Sequence, residues 1–151
     1  MNDKEWDVYL SGEVHSNWRE EIENAAYKEN LPVQFFSAVT DHEKSDNCGD
    51  KILGTEKEKF WKDHKAAKMN AIRTRTLIDE ADIVIVRFGD KYKQWNAAFE
   101  AGLAATSGTP LIVQHSPENI HALKEVDAAA YAVAETVEQV VEILKYVTMQ
   151  Q

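Results

Sequence analysis

A single cysteine, Cys48, leaves the chain no way to form an internal disulfide, which fits a reducing cytoplasm. Apolar runs are short, and none approaches the ~20 residues needed to cross a bilayer. The opening stretch MNDKEWDVYLSG has no basic segment followed by a long apolar one, so no secretion signal is visible. Cations are scarce, with 17 basic residues against 26 acidic ones and a formal charge of −9. That deficit argues against a nucleic-acid polymer or an anionic membrane as partner, because both demand a surplus of positive charge. Proline, glycine and serine never gather into a linker, and no internal repeat is visible. The 151 residues therefore read as one domain, long enough to bury a substantial core. Neither GxGxxG nor GxxxxGK[ST] occurs, so dinucleotide and P-loop chemistry are unsupported and no cofactor is expected.

What is present is alternation of strands and helices. Trp6–Leu10 reads as a first strand, followed by a Ser11-Gly12 turn and a helix over Trp18–Glu29. A second strand covers Pro32–Ser37. Thr40–Glu56 shows turn signals at Asn47, Gly49 and Gly54 and no periodicity, so it reads as a polar surface loop with the length of a lid. Helix resumes over Lys57–Asp79, in one piece or two. Ile83–Val86 is a third strand, Asn96–Thr106 a helix and Pro110–His115 a fourth strand. A short helix over Asn119–Val126, a short strand over Ala130–Ala134 and a helix over Val137–Val147 complete the pattern. Such alternation implies right-handed βαβ crossovers. The expected fold is a single-domain flavodoxin-like or Rossmann-like three-layer α/β sandwich with a mostly parallel five-stranded sheet.

The segment Ile78–Ile112 carries the functional signal. Ile83, Val84, Ile85 and Val86 form a continuous β-branched run, the pattern of a parallel strand covered on both faces. The following helix holds Glu100 among Ala97, Ala98, Phe99, Ala101 and Gly102. A strand-loop-helix unit of this kind points its loop at the crevice above the carboxyl ends of the strands, where open α/β sheets bind ligands.

The strand-turn Tyr9-Leu10-Ser11-Gly12, the run ADIVIV, the helix motif FEAGLA and the strand start GTPLI together resemble the nucleoside 2-deoxyribosyltransferase superfamily. Over nearly its whole length the chain resembles the YtoQ family within it. The resemblance implies that Glu100 is a nucleophile, and that Tyr9 and Gly12 floor the pocket with the Tyr9 hydroxyl on the Glu100 carboxylate. Such a carboxylate attacks the anomeric carbon of a nucleoside and holds a glycosyl ester until water or another base arrives. Two departures stand out. Gln94 occupies the place of an Asp six residues before the nucleophile, and Thr74, between Arg73 and Arg75, falls where another acid is found in the better-known transferases. Glu13, just after the first turn, is the expected replacement acid, with Asp90 next.

Other polar residues fill supporting parts. Gln94 and Asn96 are candidates to bind a base edge, Trp95 to stack on it, and Arg73 or Arg75 to receive a 5'-phosphate. His15 and Trp18 follow the first turn closely enough to line the pocket. Asp41, His42, Asp46 and Cys48 match no zinc or calcium spacing, so no metal site is expected. His64 and His115 have no evident partner. The expected activity is cleavage or transfer at the N-glycosidic bond of a small-molecule nucleoside or nucleotide. The alternative is a sensor on the same fold that binds such a metabolite without turnover. The resemblance implies a homodimer or larger homo-oligomer, and four Trp, five Tyr and five Phe, generous for one small core, leave some to serve an interface.

Overall fold

The computed structural model of the protein describes residues 4–149. Its five strands are β1 (Trp6–Gly12), β2 (Val33–Ser37), β3 (Ile83–Arg87), β4 (Leu111–Gln114) and β5 (Ala132–Ala134). They form one sheet in the order β2-β1-β3-β4-β5, and every pairing is parallel. Among the described residues the helices are α1 (Trp18–Lys28), α2 (His42–Leu53), α3 (Lys59–Glu80), α4 (Trp95–Ser107), α5 (Lys124–Ala129) and α6 (Val137–Thr148), with a 3-10 turn at Pro117–Asn119. This strand order is the flavodoxin-like one.

Alternation along each strand builds two cores. Val8 and Leu10 of β1 join Ile83 and Ile85 of β3 in packing against α1 and α6, through Trp18, Ile22, Val140 and Leu144. Tyr9, Val84 and Val86 point the other way, onto Ile78 of α3 and Ala97, Ala101 and Ala104 of α4. The small side chains of α4 let that helix lie close to the sheet, which brings anything it carries near the strand ends. Each large apolar side chain buried in this way contributes roughly 1.5–3 kcal/mol by leaving water.

The chain leaves β1 for β2 on one side and returns to β3 on the other. A crevice therefore opens at this switch point, above the carboxyl ends of β1 and β3. β1 runs two residues beyond its expected end, because Ser11 and Gly12 pair with Val86 and Arg87. Gly12 has φ +135°, and a Cβ there would lie 2.1 Å from the Arg87 carbonyl oxygen. Only glycine fits this approach of strand to strand.

The largest difference from expectation is α2. Thr40–Glu56 is not a loop: Asp41 caps a helix by accepting from the Lys44 N–H at 3.2 Å, and Gly54 ends it at φ +97°. This helix has no apolar stripe to betray it, and Gly49 is its single buried residue. It packs on α3 by backbone proximity, since a Cβ on Gly49 would meet the Lys65 Cβ at 2.6 Å. The Asn70 amide of α3 adds hydrogen bonds to the Ser45 carbonyl and hydroxyl at 3.1 and 3.2 Å. α3 is one unbroken helix of 22 residues. The expected helix over Asn119–Val126 is instead a 3-10 turn followed by α5, three to five residues later in the chain. β5 keeps only Ala132–Ala134 of its expected span.

Candidate active site

Tyr9 and Ser11 are two apart on β1, so both side chains leave the same face of the sheet, toward α4. They meet Glu100 there. The Tyr9 hydroxyl donates to Oε1 at 3.0 Å and the Ser11 hydroxyl donates to Oε2 at 2.7 Å. Tyr9 has no exposed surface, Ser11 has almost none, and Glu100 is half-buried. Burial, followed by the Glu100 charge and the hydrogen bond to it, pushes the Tyr9 phenol far above its ordinary value. Tyr9 is thus a permanent donor. Each Glu100 oxygen accepts one hydroxyl and keeps further lone-pair capacity, so the carboxylate is oriented without being used up.

Glu100 opens onto a cavity of about 830 Å³ bounded by the β1–α1 loop, the α2–α3 pair and the start of α4. The volume suits a small organic ligand. Gly12, Glu13, Gln94, Trp95 and Asn96 also line it. Trp95 is 76% exposed at the rim. Gln94 is already occupied: its Oε1 accepts from the Gly89 N–H at 3.1 Å, and its amide donates to the Tyr92 carbonyl. It shapes the β3–α4 loop.

Glu13 borders the same cavity in a different state from the one expected of an acid. Its oxygens accept from the His15 and Ser16 N–H groups at 2.7 and 3.1 Å, from the Ser16 hydroxyl, and from Arg87 Nη1 at 2.8 Å. Burial pushes its pKa up, but the Ser16 hydroxyl, the His15 N–H, the Arg87 charge and the Ser16 N–H together hold it below the ordinary carboxylate value. That is the wrong direction for a proton donor. Glu13 pins the β1–α1 loop to β3.

Two expected ligand contacts lie elsewhere. Asp90 is exposed and is not among the cavity-lining residues; it accepts from the Ser116 hydroxyl at 2.6 Å and the Asn119 amide at 3.1 Å, tying two loops together. Arg73 also falls outside the lining and donates to the Ser37 carbonyl at 3.3 Å. The reason is helical phase. Asp63, Ala67, Asn70 and Thr74 follow the three-to-four residue repeat that faces the cavity, and Arg73 is one position off that stripe. Arg75 reaches the cavity edge instead.

Ser11 and Arg19 are among the lining residues that the sequence reading does not single out. Ser11 was legible in principle, since period two from Tyr9 puts it on the same face. Arg19, one residue into α1, donates to the Glu13 carbonyl at 2.7 Å and the Gly12 carbonyl at 3.3 Å, with its guanidinium over the Trp18 ring. Burial pulls its pKa down, while the charges of Glu13, Tyr9 and Glu100 oppose that shift. It sets a fixed cation beside Gly12 and Glu13. Trp18 itself is fully buried in the other core and does not line the cavity. His15 and His42 line it, whereas His115 is buried with Nε2 on Asp127 at 2.8 Å and His64 stacks on Phe60. Among the described residues, no three His, Cys, Asp or Glu side chains are grouped to hold a metal ion. No helix among them is long and apolar enough to cross a membrane.

Fold and site define an α/β domain with a hydroxyl-clamped carboxylate in the crevice at its topological switch point. Residues 9–148 match the family model described as nucleoside 2-deoxyribosyltransferase YtoQ, and the chain belongs to that family. It is 44% identical over 142 residues to the protein YtoQ of Bacillus subtilis (strain 168), covering 94% of this chain and 96% of that one. Solved structures share the fold at low identity. A conserved protein from Enterococcus faecalis V583 superposes with a TM-score of 0.63 at 13% identity, over 95% of this chain and 99% of its own. The 2-deoxyribosyltransferase of Bacillus psychrosaccharolyticus gives 0.53 at 18%, over 89% and 90%. DNA processing protein A from Helicobacter pylori gives 0.55 at 17%, over 97% and 83%.

Proposed function

We propose that this protein cleaves or transfers the N-glycosidic bond of a nucleoside or nucleotide, with the Glu100 carboxylate as nucleophile. One observation carries the reading: two hydroxyl donors from alternate residues of β1 hold Glu100 at the mouth of a ligand-sized cavity. A purely structural surface glutamate needs no such clamp. The membership in a family described by 2-deoxyribosyl transfer supports the same chemistry. In the first half-reaction a Glu100 oxygen bonds to the anomeric carbon as the bond to the base breaks. In the second, water or another base displaces the ester.

Glu100→Gln tests this directly. Turnover should fall about 10³-fold or more while the fold and ligand binding persist. A 2-fluoro-arabinosyl nucleoside should leave its sugar on Glu100 in the native protein, seen as a mass increase on that residue. Undiminished turnover by Glu100→Gln would refute the assignment.

A second reading rests on Gln94. An amide bound to loop backbone stands where an acid is expected, which favours a sensor that holds a nucleoside or nucleotide without turning it over. Such a protein would gain thermal stability from its ligand and release no free base. Under either reading we place a second copy of the chain against exposed aromatic residues, including Trp61 and, at the cavity, Trp95 and Phe99.

A further inference from the structure

Breaking the bond to a nucleobase puts an electron pair on a ring nitrogen, and an unactivated base departs slowly unless that nitrogen receives a proton. Glycosidic cleavage at Glu100 therefore needs a donor facing it across the cavity. Glu13 is committed to four hydrogen bonds, Gln94 and Thr74 carry no titratable proton, and Asp90 is turned away. Imidazole is the side chain whose ordinary titration lies nearest neutrality, which suits it to give and retake a proton. Two imidazoles line the cavity, His15 and His42.

His15 is held from three sides. Its backbone N–H donates to Glu13 Oε2 at 2.7 Å. The Tyr92 ring, from the β3–α4 loop, lies 4.5 Å from its imidazole, and the His42 ring, on the first residue of α2, lies 5.6 Å away and stacked at 25°. Three segments that do not touch one another in sequence thus converge on one ring. The loop that carries His15 leaves β1, whose Ser11 hydroxyl holds the nucleophile, so His15 is four residues from the carboxylate clamp. His42 stands one ring further along the stack.

We propose that His15 is the proton donor to the departing base, resting on the glycosidic reading of Glu100. In the first step the Glu100 oxygen forms the ester to C1', the C1'–N bond breaks, and its electron pair goes to the base. The imidazolium N–H proton passes to a base ring nitrogen, leaving neutral His15. In the second step water attacks C1', the ester electrons return to Glu100, and His15 takes the proton of the water. An incoming base returns that proton in the same way when the reaction is transfer. The buried Glu13 carboxylate, the acid nearest the turn, serves as a positioning residue for this histidine.

A pair of substrates separates the roles. 2'-Deoxyguanosine leaves as a poor base that needs protonation, whereas 7-methyl-2'-deoxyguanosine is already cationic and releases a neutral purine. In His15→Asn we expect the first substrate to slow about 10²–10⁴-fold and the second only a few-fold, with the melting temperature unchanged. Glu100→Gln should abolish both. Equal loss on the two substrates, or loss on neither, overturns His15 as the donor while leaving Glu100 in place. Cleavage of 7-methyl-2'-deoxyguanosine that survives Glu100→Gln overturns Glu100 as the nucleophile, and cleavage of neither substrate by the native protein overturns the glycosidic reading itself, each taking the donor assignment with it.

Discussion

Ser11 and Glu100, 89 positions apart in the chain, are joined by a 2.7 Å hydrogen bond whose donor is a strand hydroxyl and whose acceptor is a helix carboxylate. With Tyr9 it makes a two-point hold on one side chain. Removing either donor should loosen the carboxylate without unfolding the protein. Tyr9→Phe and Ser11→Ala are each expected to lower kcat about 10–100-fold, the cost of one hydrogen bond to a charged group. Stability should change by about 1 kcal/mol or less, because half-buried Glu100 can bind water instead. Steady-state kinetics beside thermal melts would decide it; a loss of stability with unchanged kcat would show that the clamp serves folding.

Gly12 offers the opposite signature. Gly12→Ala places a methyl group where the Arg87 carbonyl oxygen stands at 2.1 Å, on a backbone at positive φ. Strain and clash together should cost about 3 kcal/mol or more, which for a chain of this size lowers Tm by roughly 6–12 °C. Calorimetry of the purified variant would test this, and a melting point within 2 °C or so of the parent would count against the geometry.

Glu13 links pH to stability. Its folded pKa lies below the unfolded value of about 4.3, so the unfolded chain binds the proton more readily. Its contribution is therefore fully present above that value and is lost as pH falls through the lower, folded one. Glu13→Gln should cost about 1–3 kcal/mol at pH 7, leaving Arg87 Nη1 without its anion. The gap between the two proteins should narrow steadily below about pH 4. Urea titrations at pH 7 and pH 3.5 measure it. A gap that widens on acidification would mean that the sign is wrong. Burial pushes the Asp82 carboxyl up, but the Lys4 hydrogen bond, the Asp7 N–H and the Lys4 charge together hold it below its ordinary value, so it should add to the same acid lability.

Gly49→Ala should act on the ligand more than on the fold. Its new Cβ would press on Lys65 at 2.6 Å and lift α2 from α3, displacing Ser45, Asp46 and His42 at the cavity wall. Ligand affinity is expected to fall about tenfold while Tm moves by only a few degrees. Isothermal titration would show an unchanged affinity if α2 took no part in the cavity.

The assembly is tested by light scattering. A second copy covering the exposed aromatic surface should give at least twice the 17.1 kDa of one chain at micromolar concentration. A 17.1 kDa particle would remove the interface from the account.

Much of this was legible in one dimension. The run Ile83–Val86 announced a buried parallel strand, and alanines at three- and four-residue spacing announced a helix lying flat on it with Glu100 in its midst. The Tyr9–Glu100 hydrogen bond follows from the resemblance, and it is present in the structure. What stayed hidden were relations set by tertiary packing. No pattern in the sequence says that Arg87 waits 74 positions beyond Glu13 to claim its proton site. Nothing marks Thr74 and not Arg73 as the cavity side of α3 until the phase of that helix is fixed by its contacts. α2 was missed because hydrophobic periodicity cannot register a helix docked through a glycine.

That mode of docking has a kinetic consequence. A helix whose one buried residue has no side chain forfeits little apolar burial when it detaches, so its local opening should cost far less free energy than global unfolding. The α2 amides should then exchange with solvent long before those of β1 and β3, as a separate population in hydrogen-exchange mass spectrometry. Traffic into the cavity would be timed by this opening, at a rate the sheet does not set.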